Sequence, residues 1–228
     1  MDVGLIIATA TEMEALSEKF HGSFFSSNLN GFTVRNFRIG NHKIHAIESG
    51  AGEIKAAAAT QALITGYRCT FIVNFGVCGA LAPGLKTGEP VIVFSVIHYD
   101  RDVSAVDNCK PEHYDPFRDI EIPATASVFN AVAERLPIFP VRCASGDKFI
   151  AGAEAKHALY LKYGTEICDM EAAGILLTAH RAGVPTLIVK AVSDDSDGGG
   201  DDYWATAERA AKNGVKVLTT VLDGGILE

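Results

Sequence analysis

Short apolar runs rich in valine and isoleucine recur at positions 3–8, 71–75, 90–96 and 186–192, and each reads as a buried strand. Alanine-rich stretches between and after them, at 53–66, 172–182 and 205–222, carry the helices. The first two end at Gly66 and Gly183, where glycine suits a helix C-terminus. Positions 33–39 and 43–48, joined by Gly40 and Asn41, predict a hairpin. Strands alternating with helices, plus one hairpin, predict an α/β fold: a single domain over residues 1–228 with a mixed central sheet flanked by helices. In such sheets ligands gather at the carboxyl ends of strands. Two polar stretches, 194–202 with its three glycines and 107–115 with Pro111, are predicted to be irregular loops and not linkers between domains.

Composition narrows the class. With 228 residues, 48% of them hydrophobic, the chain can build a core without staples. A net charge of −8 with lysines and arginines scattered singly gives no basic face, so nucleic acid is not an expected partner. Five cysteines, an odd number with no metal spacing among them, predict no metal site and a reducing, cytoplasmic setting. No apolar stretch approaches the ~18 residues that would span a bilayer, and the first residues lack the basic flank and cleavage site of a signal peptide. The expectation is a protein neither exported nor embedded in a membrane.

Four segments at strand ends collect polar residues or glycines: 8–12, 74–79, 168–171 and 192–194. If their strands are neighbours, Glu12, Glu171 and Asp194 converge on one pocket. Each has a bland alternative. Glu12 and Glu171 are equally suited to the first turn of a helix, where a carboxylate meets the positive end of the dipole. Asp194 stands in Ser193-Asp194-Asp195-Ser196-Asp197, where mutual repulsion would favour the protonated form of at least one carboxyl, as a general acid needs; a metal site or a solvated loop is the competing reading. Glycines in Ser49-Gly-Ala-Gly52 and Gly76-Val-Cys-Gly79 would let backbone approach a ligand, yet neither is a P-loop or a dinucleotide fingerprint. Phe149, after the Ser145-Gly146-Asp147 turn, could stack on a flat base or simply fill the core. The seven histidines are dispersed, with no nucleophile elbow and no Cys/His pair at a recognised spacing.

Taken together, these segments resemble the nucleoside phosphorylase and nucleosidase family, most closely the methylthioadenosine/S-adenosylhomocysteine nucleosidases. The residues that carry the resemblance are Met170-Glu171 opening a helix, Val192-Ser193-Asp194 ending a strand, Ser145-Gly146-Asp147 with Phe149-Ile150, and Glu12. The resemblance runs from Gly4 to the C-terminal helix. It implies that Asp194 protonates purine N7, with Ser193 orienting it, and that Glu12 activates the attacking water. It further implies that Phe149 stacks on adenine, the main chain of Ile150 bonds its edge, Glu171 holds the ribose hydroxyls and Met170 packs beneath the sugar. No cofactor is implied.

Two positions depart from the family pattern. Lys190 stands where an arginine is common near the water, and lysine keeps the charge without the planar fork. Val77 stands where a small polar residue is frequent before Gly79. Phosphorylases of this fold gather arginines around phosphate, one just before the Gly-x-x-Gly segment; Asn74 and Phe75 occupy that place, which favours hydrolysis. The resemblance also implies a homodimer, with Val103, Val106 and Pro111 of one copy meeting Thr9 and Tyr203 of the other at the 5′ side of the sugar. Polar Asp107, Lys110, Glu112 and His113 around that loop allow a larger or more polar 5′ group. A futalosine hydrolase, a purine nucleoside phosphorylase and a non-catalytic nucleoside-binding protein are the competing readings.

Overall fold

The computed structural model describes residues 1–21, 23–107 and 109–226. In chain order the elements are β1 (Asp2–Ile7), α1 (Ala10–Lys19), β2 (Phe25–Leu29), β3 (Phe32–Ile39), β4 (His42–Glu48), α2 (Glu53–Gly66), β5 (Phe71–Ala80) and β6 (Pro90–His98). They continue with β7 (Glu121–Pro123), α3 (Ala126–Ala133), β8 (Phe139–Ser145), α4 (Ala153–Tyr163), β9 (Ile167–Asp169), α5 (Ala172–Ala182), β10 (Thr186–Asp194) and α6 (Gly200–Asp223). The α/β fold with a mixed sheet and flanking helices is therefore as expected.

One sheet runs β10-β6-β8-β9-β5-β1-β4-β3-β2, and β10 also pairs with β5, so five of its strands close into a ring while β1, β4, β3 and β2 extend from it. The strands β1, β5 and β10 lie parallel, so their carboxyl ends share one edge. The fourth expected strand end arrives differently: β9 is only three residues long and pairs antiparallel with the last two residues of β5. Convergence at the site comes from that short crossing strand as well as from parallel neighbours.

Alternation along the strands divides the core. Val3, Leu5 and Ile7 of β1 pack with Met13 and Leu16 of α1 and Val215 and Leu218 of α6, whereas Ile6 packs with Ala56, Ala59 and Leu63 of α2. Gly4 makes the second contact possible, because a β-carbon there would lie 2.7 Å from the Ile72 side chain. The strand β10 is buried throughout, as befits a strand paired on both edges.

Two local expectations are corrected and one agrees. Gly66 is the last residue of α2 and not a left-handed cap; its missing side chain admits Leu29, 2.5 Å from where a β-carbon would stand. Gly183 does take the left-handed cap position. The stretch 194–202 is not all loop, since α6 begins at Gly200. Asp201 and Asp202 suit its positive N-terminal end, and Asp202 accepts the Gly199 N–H at 3.0 Å.

Candidate active site

A cavity of about 340 Å3 opens at the shared strand edge, within the range usual for small-molecule sites. Its wall includes Glu12, Val77, Gly79, Phe149, Ile150, Met170, Glu171, Ser193, Asp194 and Tyr203, together with Thr9. The rest of the expected set lies elsewhere. Lys190 is buried behind the wall, and Val103 and Val106 lie on the loop after β6, with Val106 86% exposed.

Glu12 turns out to serve both of its readings. It is the third residue of α1 and closes a capping box with Thr9, accepting the Thr9 N–H at 2.8 Å. The same Oε2 accepts the Ala8 N–H at 3.1 Å, and Oε1 accepts the Val77 N–H at 2.7 Å. A carboxylate has about four lone-pair sites, so three donors leave one for a water. Burial pushes its carboxyl above the ordinary range, against the Lys190 ammonium and the Val77 and Thr9 donors. A raised carboxylate suits a general base working near neutral pH.

At the far end of β10 the pairing with β5 shifts between Val192 and Asp194, a bulge that seats Asp194 beside Gly79. Ser193 Oγ lies 2.6 Å from Asp194 Oδ1 and 3.0 Å from the Cys78 carbonyl oxygen. Its single proton serves one of these acceptors at a time. An Asp194 carboxylate accepts it, and a protonated Asp194 can donate to Ser193, which then donates to Cys78. The expected crowd of carboxylates does not surround Asp194: Asp195 and Asp197 are exposed, and the charged neighbour of Asp194 is Lys156 of α4.

The two glycines of the β5 segment make room for these acids. A β-carbon on Gly76 would stand 2.7 Å from Glu12 Oε1, and one on Gly79 would stand 3.1 Å from Asp194 Oδ2. Sequence reasoning assigned them to close approach of a ligand; the nearest atoms belong to the carboxylates. Likewise the Gly52 N–H, from the other glycine segment expected to approach a ligand, donates to Glu171 Oε1 at 3.2 Å.

A charged cluster that the sequence did not reveal joins Asp169 and Glu171 of the wall to Lys190 behind it. Lys190 Nζ is 2.7 Å from Asp169 Oδ2 and 3.7 Å from Glu171 Oε2. Burial disfavours the Asp169 carboxylate, yet Lys190, Ser145 and Cys143 together hold it below the ordinary range. Burial likewise opposes the Lys190 charge, and the Asp169 and Glu171 carboxylates outweigh it, so Lys190 stays an ammonium. Glu171 is pushed up to about 7 by burial, with Lys190 opposing and Asp169 and Glu12 adding to the rise. Glu171 is the N-cap residue of α5, one position before the helix predicted for it. Phe149, 44% exposed, lines the cavity and meets Tyr203 in a T-shaped pair with ring centroids 5.7 Å apart. Trp204, 77% exposed and unremarked in the sequence, stands at the mouth. Among the described residues no group of three or more His, Cys, Asp or Glu side chains could hold a metal ion, and no helix is long and apolar enough to cross a membrane.

The family model described as the Phosphorylase superfamily matches residues 2–223. The chain belongs to this superfamily. Within it, the chain is 29% identical over 211 residues to a 5′-methylthioadenosine/S-adenosylhomocysteine nucleosidase of Actinobacillus succinogenes, with 87% of each chain covered. It is 25% identical over 228 residues to an aminodeoxyfutalosine nucleosidase of Helicobacter pylori, with 97% of each covered. A solved structure of the S. pneumoniae 5′-methylthioadenosine/S-adenosylhomocysteine nucleosidase, holding a transition-state inhibitor, superposes with a TM-score of 0.90 at 23% identity and full coverage of both chains. That likeness establishes the superfamily fold for this chain.

Proposed function

We propose that this phosphorylase-superfamily chain is a hydrolase that cleaves the N-glycosidic bond of a 5′-substituted adenine nucleoside, of the methylthioadenosine or S-adenosylhomocysteine type, releasing free base and the ribose derivative. The observation that carries the reading is the pair of buried carboxylates in one cavity wall, Glu12 held by three backbone N–H groups and Asp194 held by Ser193. Breaking the glycosidic bond leaves a cation-like ribose and an electron-rich base, so an acid at the base and carboxylates at the sugar favour the transition state over the ground state. Asp194 passes its proton to N7 as the bond breaks. Glu12 takes a proton from the water that attacks C1′. Phe149 stacks on the base beside Ile150, while Glu171 binds the ribose hydroxyls over Met170. Lys190 acts from behind, balancing Asp169 and Glu171 so that Glu12 can stay ionised.

Hydrolysis is favoured over phosphorolysis because, among the described residues, Lys148 is the one cationic side chain in the wall and no arginine joins it. A phosphate would find no fork-like donors there. The working unit is a homodimer in the cytoplasm, one nucleosidase domain per chain, in which Val103 and Val106 of each copy complete the 5′ side of the other's cavity near Thr9 and Tyr203. A larger 5′ group, as in aminodeoxyfutalosine, is the second reading, favoured by the mouth at Tyr203 and the exposed Trp204. Incubation with methylthioadenosine, S-adenosylhomocysteine, adenosine, inosine and aminodeoxyfutalosine, with and without phosphate, separates these readings. Free adenine without phosphate is the expected result. A requirement for phosphate would contradict hydrolysis, and no cleavage of any nucleoside would contradict the enzyme.

A further inference from the structure

A cation is locked behind the proposed acid. Lys156 projects from α4, is completely buried, and its Nζ hydrogen-bonds to Asp194 Oδ2 and, at 2.5 Å, to the Asp195 carbonyl oxygen. Burying an ammonium costs several kcal/mol unless it is closely paired. Among the described residues the one ion pair that Lys156 makes is with Asp194.

We propose that Lys156 is a positioning residue for the general acid, fixing the Asp194 carboxyl against Gly79 and stabilising the carboxylate that forms as its proton passes to the leaving base. The inference rests on the nucleosidase reading above. Three observations support it. First, the carboxyl is held at both oxygens, Oδ1 by Ser193 and Oδ2 by Lys156, over a floor where Gly79 has no side chain. Second, among the described residues the one cation that ion-pairs with the acid is Lys156, and Cys78 of β5, Cys168 of β9 and Tyr203 of α6, which also face it, carry no positive charge. Third, only Ala151 and Gly152 separate Phe149 and Ile150 from the start of α4, and the Gly152 N–H donates to the Gly198 carbonyl at 3.2 Å. Lys156 therefore ties the turn that would grip the base to the end of β10, which carries the acid.

The charge balance shows how this assists the reaction. As the C1′–N9 bond breaks, its electron pair goes to the base, the proton on Asp194 moves to N7, and Asp194 is left negative. The attraction between Asp194 and Lys156 is strongest in that last state, so it lowers the barrier more than it stabilises the bound substrate.

Variants and leaving groups test this together. Lys156→Gln keeps a donor for the Asp195 carbonyl and removes the charge, whereas Lys156→Arg keeps the charge. With 5′-methylthioadenosine the Gln variant is expected to lose about 10²-fold in kcat, the scale of one preorganised electrostatic contact, with KM little changed. The Arg variant is expected to recover most of that loss. With a p-nitrophenyl 5-methylthioriboside, whose nitrophenolate departs without needing a proton, the Gln variant should stay close to wild type. Equal losses on both substrates, a loss confined to KM, or an Arg variant no better than Gln would overturn the inference. If thermal melting shows the Gln variant to be unfolded, Lys156→Met, uncharged and of similar volume, supplies the same comparison. Wild-type protein that releases no adenine from 5′-methylthioadenosine would overturn the nucleosidase reading itself.

Discussion

At the scale of single residues, Glu12 meets two demands with one side chain. Its capping of α1 fixes where the carboxylate points, and the Val77 N–H reaches it from the neighbouring strand. Glu12→Gln should therefore stop hydrolysis while a nucleoside still binds, which a binding assay beside a turnover assay would show; loss of binding as well would mean that Glu12 mainly holds the wall together. Because burial raises the Glu12 carboxyl, and the base must be ionised, kcat/KM should fall as pH drops through a value above the ordinary carboxylate range. A profile that stays flat down to about pH 4.5, the usual glutamate region, would contradict that role. Gly76→Ala should cost activity as severely as a change at Glu12, since its β-carbon would collide with Oε1; normal turnover by a folded Gly76→Ala protein would contradict the tight fit.

Sequence made some of these residues legible and hid others. Glu12 and Asp194 could be singled out because each follows an apolar run that ends at the sheet edge, and Glu171 because it opens an alanine-rich helix. Lys156 could not. The helix that bears it buries a lysine and leaves Leu161 70% exposed, the reverse of the pattern by which helices are read. Asp169 lay within a segment that was noticed, but its partner Lys190 is 21 positions away on another strand, and charge pairing at that range leaves no trace in spacing.

At the scale of elements, the joint between α2 and α5 is built on a carboxyl whose proton matters. Glu53 is pushed up to about 8, first by burial and then by the nearby Asp169 charge, with Ser145 and Gly174 donors opposing. Ser145 Oγ sits between Glu53 Oε1 and Asp169 Oδ1 and has one proton to give, so a protonated Glu53 completes the chain of donors. The Gly174 N–H reaches Glu53 Oε2 at 2.5 Å, and a β-carbon on Gly174 would lie 2.4 Å from the Glu53 carbonyl, so the two helices meet with no room to spare. A raised carboxyl stabilises the fold fully below its unfolded value, near 4.5, and loses that contribution as pH rises through about 8. Glu53→Gln imitates the protonated form, so its melting temperature should decline less than that of wild type between about pH 5 and pH 9. Parallel declines would show that Glu53 is already ionised in the fold.

The same scale explains which elements the sequence disclosed. The helices α2 and α5 and the hairpin of β3 and β4 carry alanine-rich or alternating patterns bounded by glycine, and they appear within a residue of expectation. The strand β9, three residues long, is too short to register as a pattern, and α4 has no apolar stripe. The start of α6 was obscured by three glycines that read as a loop.

At the scale of the whole molecule, closure of five strands into a ring places the cavity where β1, β5 and β10 end and β9 crosses. Val106, on the loop after β6, is 86% exposed, and the shared 5′ site proposed above would have a second copy cover it. Val106→Asp should weaken self-association and raise KM for a nucleoside with an apolar 5′ group, read by sedimentation and steady-state kinetics; a wild-type chain that stays monomeric while fully active would contradict the shared site. The central claim, that Asp194 supplies the proton to a leaving adenine while water attacks the sugar, is tested most directly by following adenine release from 5′-methylthioadenosine in phosphate-free buffer with wild type and Asp194→Asn. The account predicts steady release by the wild type and a loss of about 10²–10⁴-fold in the folded variant, the usual worth of a positioned acid. Near-normal release by Asp194→Asn would contradict it.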